Sequence, residues 1–325
     1  MLALCACSLA PLSATWLDLS IVAGVMSLIA LSFGFSYGQG GVLTLAQGAF
    51  AAIGAYATGF LSTRFGLSPY IGLILALLLP AVLGWGVARM VSRLPPLATA
   101  LATLAFGTIV SVVVRHWDSV TGGFIGISGV PPVPGFDDPV AFNVLAWSFV
   151  CIAVLLCECL VRSAHGRALR VIRHDAARAI ADGINVSAIL GATLAMSGAI
   201  AGAAGWLYVH HISYMSPESL DNSTSISALL MAIVGGAGYI FGPILGTVIL
   251  TVLGHFLPAQ EAQGLFYGGC LVLILLIARE GVLGAAASVP WIRPPHRRSD
   301  RRSNGQPSQL PRDPAASLER PDFSA

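Results

Sequence analysis

The sequence contains no lysine, because all 17 of its basic residues are arginine. A P-loop holds nucleotide phosphates with a lysine that follows its glycines, so this chain is not a P-loop ATPase. A pyridoxal Schiff base and a Ser-x-x-Lys acylase also need lysine, and both are excluded. If the protein moves a solute uphill, the energy comes from an ion gradient or from another subunit.

Charge of either sign is scarce along the chain. Only 10% of the 325 residues are charged and 56% are hydrophobic, whereas an ordinary soluble domain has about 25% charged residues. Many of these few charges lie near the C-terminus. The composition excludes a cytosolic enzyme and predicts a membrane protein.

Apolar runs predict where the chain crosses the membrane, since a transmembrane helix needs about 20 mainly apolar residues. We predict nine spans, near residues 17–34, 43–62, 70–88, 97–114, 140–161, 188–209, 224–240, 241–257 and 264–280. Glycines interrupt the pair at 224–257, which is therefore either two full spans or a tightly turned, partly re-entrant pair. The predicted fold class is an all-α polytopic membrane protein with about eight to nine transmembrane helices.

The arginines predict the orientation of these spans. With the loop after residue 161 in the cytoplasm, only Arg64 and Arg115 of the core fall outside. The inside arginines are Arg89, Arg93, Arg162, Arg167, Arg170, Arg173, Arg178 and Arg279. This asymmetry follows the positive-inside rule and places the C-terminus inside as well.

The two ends of the chain differ from its centre. Counting back from the cytoplasmic loop places residues 1–15 outside. Two interpretations stay open: a start upstream of Met1 is missing, or this segment is the remnant of a truncated first span. Residues 16–284 form the transmembrane domain. Residues 285–325 are rich in Pro, Arg, Ser and Gln and are predicted to be a disordered tail. Its basic part, Arg293 to Arg302, is expected to touch anionic membrane lipid, and one short cluster gives no basis for nucleic-acid binding.

Ionisable residues inside the predicted spans are few. Glu158 lies near the inner end of its span and can reach Arg162 one turn later, whereas a proton- or sodium-coupled pump would need a series of such groups near the midplane. Cys157-Glu158-Cys159 is too short for a zinc hairpin, so we predict no metal site. These observations argue against a secondary transporter.

Glycine is abundant, with 36 residues, and several glycines are spaced four apart. Such spacing lets two helices approach closely. The pairs are Gly34/Gly38, Gly198/Gly202, Gly242/Gly246 and Gly264/Gly268. A second interpretation is that the stretches 38–41 and 235–242 break helices beside a polar pathway, which is tolerated at membrane depth only where the backbone is buried or faces water.

The inner loop carries the strongest pattern. Residues 166–180 have helical periodicity, with one apolar stripe formed by Leu169, Ile172, Ala176 and Ile180. Arg167, Arg170, His174 and Arg178 lie on the opposite side, and Gly183 ends the helix. A basic amphipathic helix between two spans either lies on the lipid surface or docks into a groove of a partner.

The outer loop at 115–139 contains Gly126-Ile127-Ser128-Gly129, which matches the nucleophile motif of rhomboid-type intramembrane proteases. There the serine opens a buried helix. Here Pro131 and Pro132 follow at once and prevent a helix, so we reject the protease.

The inner-loop stretch Gly166-Arg-Ala-Leu-Arg-Val-Ile-Arg-His-Asp, with Gly183-Ile-Asn-Val, closely resembles the cytoplasmic loop of bacterial ABC-importer permeases for branched-chain amino acids, a family that includes urea and short-amide permeases. Three further stretches resemble this family in the same order: Leu43–Phe50 with Gly54-Ala-Tyr, Thr121-Gly-Gly with Gly126-Ile-Ser-Gly-Val-Pro, and Gly235-Gly-Ala-Gly with Gly242-Pro. Gln47 stands where the family usually has histidine. The resemblance covers residues 16–284.

The resemblance implies a function and partners. It implies a permease for branched-chain or other neutral amino acids in the bacterial inner membrane, with a second permease chain, two cytoplasmic ABC ATPases and a periplasmic solute-binding protein. The chain itself would be no enzyme and would hold no cofactor, because its ATPase partners would bind ATP. The residues expected to couple it to the ATPases are Arg167, Arg170, Arg173, Asp175 and Gly183.

For the solute pathway we predict Gln39, Thr44, Gln47, Thr121 and Asn222. Two alternatives stay open. The cargo could be urea or a short amide, or the protein could be a stand-alone channel for a small neutral solute whose loop helix merely lies on lipid.

Overall fold

The computed structural model describes residues 14–92, 94–255, 269 and 281–288, and this part of the chain is mostly helical. Two short strands, β1 (Ile127–Ser128) and β2 (Tyr214–Met215), pair antiparallel. The helices are α1 (Ala14–Gly34), α2 (Gln47–Phe65), α3 (Pro69–Val91), α4 (Pro96–His116), α5 (Asp118–Thr121), α6 (Pro139–Arg162), α7 (Ala164–His174), α8 (Ala176–Ala181), α9 (Val186–Ile212), α10 (Asn222–Gly235), α11 (Gly242–His255) and α12 (Gly281–Ser288).

Five of the described helices are long and apolar enough to cross a membrane: α1 with its continuation to Gln39, α3, α4, α6 and α9. Each coincides with a predicted span. The span predicted at 43–62 is also a helix, but α2 is not among the five because polar residues such as Gln47, Thr58 and Arg64 lower its hydropathy. Its polar Gln47, Thr58 and Ser62 side chains are buried against other helices. The helical polytopic architecture predicted from the sequence is therefore present.

The glycine-interrupted pair forms a compact helical hairpin. Helices α10 and α11 have 14 residues each, so each is about 21 Å long, shorter than the ~30 Å hydrocarbon core of a bilayer. They pack against each other and against α1. Residues 236–241 form the turn between them.

Some predicted segments lie outside the described residues. These are the span at 264–280 except for residue 269, the N-terminal residues 1–13, and residues 289–325 of the tail. Helix α12 extends to Ser288, four residues beyond the predicted end of the transmembrane domain at 284.

Helix α1 occupies the centre of the bundle. Within its most apolar window, 78% of the residues are buried inside the protein, against 33% in α3 and 28% in each of α4 and α6. Helix α9 packs on α1, α2 and α3. The outer faces of α3, α4 and α6 expose large apolar side chains such as Val82, Leu101 and Leu155, as expected of surfaces that face lipid or another membrane protein.

Glycines on α9 allow it to lie directly on α3, which confirms the packing prediction for this pair. A Cβ atom on Gly198 would lie 2.4 Å from the Pro80 carbonyl oxygen, and one on Gly202 would lie 2.0 Å from that of Ala76. Pro80 has no N–H to offer the Ala76 carbonyl one turn earlier. That carbonyl instead faces Gly202, where only a residue without a side chain leaves it room.

The described arginines divide between the two ends of the bundle as the sequence predicts, and Arg93 and Arg279 lie outside the described residues. Arg89 and Arg162 close α3 and α6 at the end that carries α7 and α8. At the opposite end, Arg64 donates a hydrogen bond to the Ser119 carbonyl and Arg115 lies 3.9 Å from Glu218. The predicted pairing of Glu158 with Arg162 is confirmed by a distance of 2.6 Å between Oε1 and Nη2.

Candidate functional site

The inner loop consists of two helices rather than the single helix predicted over 166–180. Asp175 has an extended backbone (φ −157°, ψ 104°) between α7 and α8. Its Oδ1 atom accepts hydrogen bonds from the backbone N–H groups of Ala177 and Arg178, at 2.9 and 3.1 Å. Asp175 is thus the N-cap of α8, a position that Asp favours because its carboxylate satisfies free N–H groups.

This break changes which apolar residues are buried. Leu169 and Ile172 share one apolar face as predicted, and that face packs into the membrane domain, with exposures of 1% and 7%. The prediction that Ala176 and Ile180 continue the same stripe is wrong: Ala176 is exposed, Ile180 is 65% exposed, and Ala179 takes the buried position. The cap at Asp175 restarts the helix in a new phase, which the uninterrupted periodicity could not reveal.

Three arginines of this loop are free to meet a partner. Arg167, Arg170 and Arg178 are exposed, and their guanidinium groups form no hydrogen bond or ion pair within the described part of the chain. Together with Ile180 they form what we term the inner-loop surface. Gly183, with φ +79°, ends α8 in the left-handed conformation, and Ile184 then donates its N–H to the Ala179 carbonyl at 2.9 Å.

The buried side of α7 is fixed to α9. The His165 Nε2 atom lies 3.1 Å from the Thr193 hydroxyl, and Leu169 and Leu190 belong to one apolar cluster. Burial lowers the pKa of His165. The loop is therefore a docked element of the fold with one free face.

Arg173 differs from the other loop arginines because it turns toward the membrane domain. Its Nη1 atom donates a hydrogen bond to the backbone carbonyl of Gly38. Its aliphatic carbons lie over Gly41, where a Cβ atom would come within 3.1 Å of the Arg173 Cγ atom. Arg173 was predicted as an ATPase-coupling residue together with its neighbours, but its geometry is distinct from theirs.

The chain between α1 and α2 breaks inside the bundle, as the glycines at 38–41 suggested. Helix α1 continues into one wide turn at Phe35–Gln39, and Gly41 with φ +68° redirects the backbone into an extended segment. Thr103 and Ser225 satisfy backbone N–H groups there: Leu45 donates to the Thr103 hydroxyl at 2.9 Å and Gly48 to the Ser225 hydroxyl at 2.8 Å.

Two predicted pathway residues of this segment are fully buried. Thr44 has no exposed surface and accepts the Ala46 N–H at 3.4 Å. Gln47 also has none, and its Oε1 atom accepts hydrogen bonds from the hydroxyls of Ser32 at 3.0 Å and Ser197 at 3.3 Å. Gln47 thus joins α2 to α1 and α9 in a closed polar network.

Gln39 lies at the inner end of the bundle and connects the break to the α10–α11 hairpin. Its Nε2 atom donates to the Gly238 carbonyl at 3.2 Å. Gly38 beside it touches the same turn so closely that a Cβ atom would lie 1.7 Å from the Ala237 carbonyl oxygen. The two glycine-rich breaks predicted from the sequence are therefore in direct contact.

Asn222 lies toward the outer end, between α10 and α4. Its Nδ2 atom donates to the Thr108 hydroxyl at 2.9 Å. Beside this bond is a small cavity of about 10 Å³ whose polar lining residues are Tyr56, Ser111, Asp221 and Asn222. Tyr56 belongs to the family stretch Gly54-Ala-Tyr but was not predicted as a pathway residue. It is 6% exposed, and its hydroxyl is buried with no hydrogen-bond partner in the described structure. We term Tyr56, Thr108, Ser111 and Asn222 the α4–α10 seam.

Thr121 also lies at the outer end but belongs to a turn. Its hydroxyl contacts the carbonyls of Val114 at 2.6 Å and Trp117 at 2.9 Å. The five predicted pathway residues therefore form no single site: Gln39, Thr44 and Gln47 follow the α1–α2 break, whereas Asn222 and Thr121 lie near the opposite end. Ser128 of the rejected protease motif lies in β1, paired with Tyr214.

Comparison with known proteins matches residues 15–275 to the family model for the branched-chain amino acid transport system permease component. The chain is 29% identical over 294 residues to the high-affinity branched-chain amino acid transport system permease protein LivM of Salmonella typhimurium, covering 82% of this chain and 69% of the relative. It is 25% identical over 280 residues to LivH of the same organism, covering 79% and 91%.

A relative with a different named cargo is also similar. The fructose import permease protein FrcC of Rhizobium meliloti is 25% identical over 271 residues, covering 79% of this chain and 73% of the relative. No solved structure matches the chain. The family model spans most of the helical bundle, both glycine-rich breaks and the inner loop, and the chain therefore belongs to the family of branched-chain amino acid transport permeases, which are multi-pass membrane transport proteins and not enzymes.

Proposed function

We propose that the chain is the membrane-spanning subunit of an ATP-driven importer for branched-chain or other neutral amino acids in the bacterial inner membrane. It would form the solute pathway with a second permease chain and receive solute from a periplasmic binding protein. Eight to nine spans would cross the membrane, counting α2, the short α10 and α11, and the segment at 264–280. The observation that carries the proposal is the exposed inner-loop surface on a docked loop.

The inner-loop surface has the chemistry of a protein-docking site. Ile180 on α8 exposes 65% of an apolar side chain, and Arg167, Arg170 and Arg178 of the same loop are also exposed. Arginine and large apolar residues are typical anchors of protein interfaces. We assign this surface to the cytoplasmic ATPases, which would supply the energy that a chain without lysine cannot obtain through a P-loop.

We place the solute pathway along the α4–α10 seam. Thr108 and Asn222 lie at the surface of two apolar helices, where lipid would offer their polar groups no partner. The polar groups of the seam therefore support a face that meets water or a second permease chain. Its amides and hydroxyls are uncharged, and the Asp221 carboxylate lines the same cavity; this combination suits a neutral or zwitterionic solute. Gln47, Thr44 and Thr121 make only internal contacts, and we assign them to packing.

The experiment is a gentle-detergent pull-down of the tagged chain expressed with its chromosomal neighbours. We expect a stoichiometric ATPase and a second permease with the parent chain. The double variant Arg170→Glu/Arg178→Glu and the single variant Ile180→Asp should lose the ATPase and keep the second permease. Arg89→Glu, an exposed arginine at the same end of the bundle, is the matched control and should keep both partners.

A different result would favour the facilitator. If the parent chain is isolated alone or as a homo-oligomer and carries solute across liposomes without nucleotide, the importer proposal is wrong. Uptake competition among leucine, urea, acetamide and fructose then identifies the cargo class. Fructose belongs in the series because one relative is named as its permease.

A further inference from the structure

Arg173 closes the inner end of α1. The last carbonyls of a helix have no partner within the helix. Here the Tyr37 carbonyl accepts the Gly41 N–H at 3.0 Å, the Ser36 carbonyl accepts the Val42 N–H at 3.1 Å, and the Gly38 carbonyl accepts the Arg173 guanidinium. A cation at a helix C-terminus is also favoured by the helix dipole.

This hydrogen bond joins two distant parts of the chain, since Gly38 and Arg173 are 135 residues apart. Gly41 makes the contact possible: its φ of +68° turns the backbone away, and the missing Cβ leaves space for the stem of Arg173. The hydrogen bond therefore fixes the loop helix α7 to the central helix of the bundle.

The connection continues from α1 into the α10–α11 hairpin. Gly38 packs on the Ala237 backbone, and Gln39 donates to the Gly238 carbonyl at 3.2 Å. A displacement of α7 would be passed to the end of α1 by Arg173 and from there to residues 237–238 by Gln39. The path consists of two side-chain hydrogen bonds and one tight backbone contact.

Open space lies beside the Arg173 side chain. A cavity of about 470 Å³ lies between α7, the α3–α4 turn and residues 40–43, and Arg173, Gly41, Ser92 and Thr99 are among its lining residues. A guanidinium released from the Gly38 carbonyl would have room in this cavity. Coupling between two sites requires such an element with two discrete arrangements.

We propose that Arg173 is the residue that transmits movement of the inner loop to the broken end of α1, and through Gln39 to the α10–α11 hairpin, and that it does not bind the ATPase. The proposal rests on the proposed function, because it needs an ATPase at the inner-loop surface. It separates Arg173 from Arg167 and Arg170, with which the sequence had grouped it as an ATPase-coupling residue.

The test measures a change at the α10–α11 hairpin and does not require an identified cargo. Gly238 is exposed and a Cβ there meets no atom within 4 Å, so Gly238→Cys introduces a reporter whose maleimide-labelling rate is measured in the purified complex with and without ATP. The same complex without Gly238→Cys gives the background from native cysteines. In the parent sequence we expect ATP to change the rate.

The variants Arg173→Gln and Arg170→Gln are then compared. We expect Arg173→Gln to retain the ATPase and lose about nine-tenths of the ATP-dependent change in labelling, a coupling loss of about tenfold. Arg170→Gln should instead weaken ATPase capture. Arg173→Lys, which keeps a donor for the Gly38 carbonyl, should restore part of the response.

Gln39→Leu keeps the proposal testable if Arg173→Gln does not fold. It should lose the ATP-dependent change in labelling while the ATPase stays bound. The double variant with Arg173→Gln and Gln39→Leu should lose no more of that change than either single variant. Loss of the ATPase in Arg173→Gln, or an unchanged ATP response in a folded Arg173→Gln or Gln39→Leu complex, would overturn this proposal alone. A parent chain that captures no ATPase would overturn the proposed function and this proposal with it.

Discussion

The hydroxyl of Ser32 donates a hydrogen bond to the amide oxygen of Gln47 across 3.0 Å in the interior of the bundle, and neither side chain has any exposed surface. Ser197 reaches the same oxygen from α9 at 3.3 Å. Three helices thus meet at one amide close to the point where α2 begins. The relationship makes Gln47 a packing residue at the centre of the fold.

We predict that Gln47→Leu destabilises the protein and leaves solute recognition unchanged. Loss of the amide removes an acceptor from two buried hydroxyls, but each keeps a carbonyl acceptor, Ile29 for Ser32 at 2.7 Å and Ser32 for Ser197 at 2.9 Å. The expected cost is therefore that of an ordinary hydrogen bond, about 0.5–1.5 kcal/mol. Thermal unfolding in detergent measures the loss of stability. The half-saturation concentration for uptake, measured below the unfolding temperature, should equal that of the parent. Gln39→Leu makes the same change at a partly exposed residue and should cost less stability. A raised half-saturation concentration in Gln47→Leu at normal stability would return Gln47 to the pathway.

A second prediction concerns the contact between α9 and α3. In Gly202→Ala the new Cβ would lie 2.0 Å from the Ala76 carbonyl oxygen, so the helices must separate, at a cost of about 3 kcal/mol or more for an overpacked interface. Gly86→Ala on α3 is the matched control, because a Cβ there meets no atom within 4 Å. That control should gain about 0.5–1 kcal/mol from helix propensity. Equal unfolding temperatures for the two variants would contradict the close packing.

A third prediction separates capping from docking at Asp175. Asparagine caps a helix about as well as aspartate, whereas alanine costs about 0.5–2 kcal/mol. Asp175→Asn should therefore capture the ATPase as the parent does, and Asp175→Ala should weaken capture by about 2- to 30-fold, because α8 and Ile180 lose their fixed position. Quantitative pull-down against ATPase concentration measures both. If Asp175→Asn is as weak as Asp175→Ala, the charge of Asp175 contacts the partner directly.

The inner loop shows which features of the site can be predicted from the sequence and which cannot. Periodicity correctly predicted a helix with Leu169 and Ile172 on one face and Arg167 and Arg170 on the other, but left open whether lipid or a protein covers the apolar face. It failed at Ile180, because a single capping carboxylate at Asp175 resets the helical phase while leaving the apolar spacing unchanged. An Asp before two alanines is a capping signal, and it was the one local cue to the break.

The predicted pathway residues do not lie in one site, and the reason is different. A buried hydrogen-bond network and a solute pathway use the same polar residue types, so the identity of Gln47 or Thr121 does not distinguish them. Their roles depend on which helices meet, and contacts such as Ala76 with Gly202 are set by tertiary packing. Tyr56 stood out in the sequence only as part of the stretch Gly54-Ala-Tyr, because an unpartnered hydroxyl is recognisable only once its surroundings are known.

The hydroxyl of Tyr56 provides the sharpest test of the α4–α10 seam. Because it is buried without a partner in the described structure, Tyr56→Phe removes a desolvated polar group and should raise stability or leave it unchanged. Tyr70→Phe is the matched control: the Tyr70 hydroxyl donates to the Pro134 carbonyl at 2.8 Å, and its loss costs about 1 kcal/mol.

The same pair of variants tests whether solute passes along the seam. If it does, Tyr56→Phe raises the half-saturation concentration for uptake of radiolabelled leucine about tenfold, because one lost hydrogen bond to the solute costs about 1.4 kcal/mol. Tyr70→Phe should leave uptake unchanged. A Tyr56→Phe protein with normal uptake would move the pathway away from the seam, because a hydroxyl left unpaired in a membrane protein would then have no solute to meet.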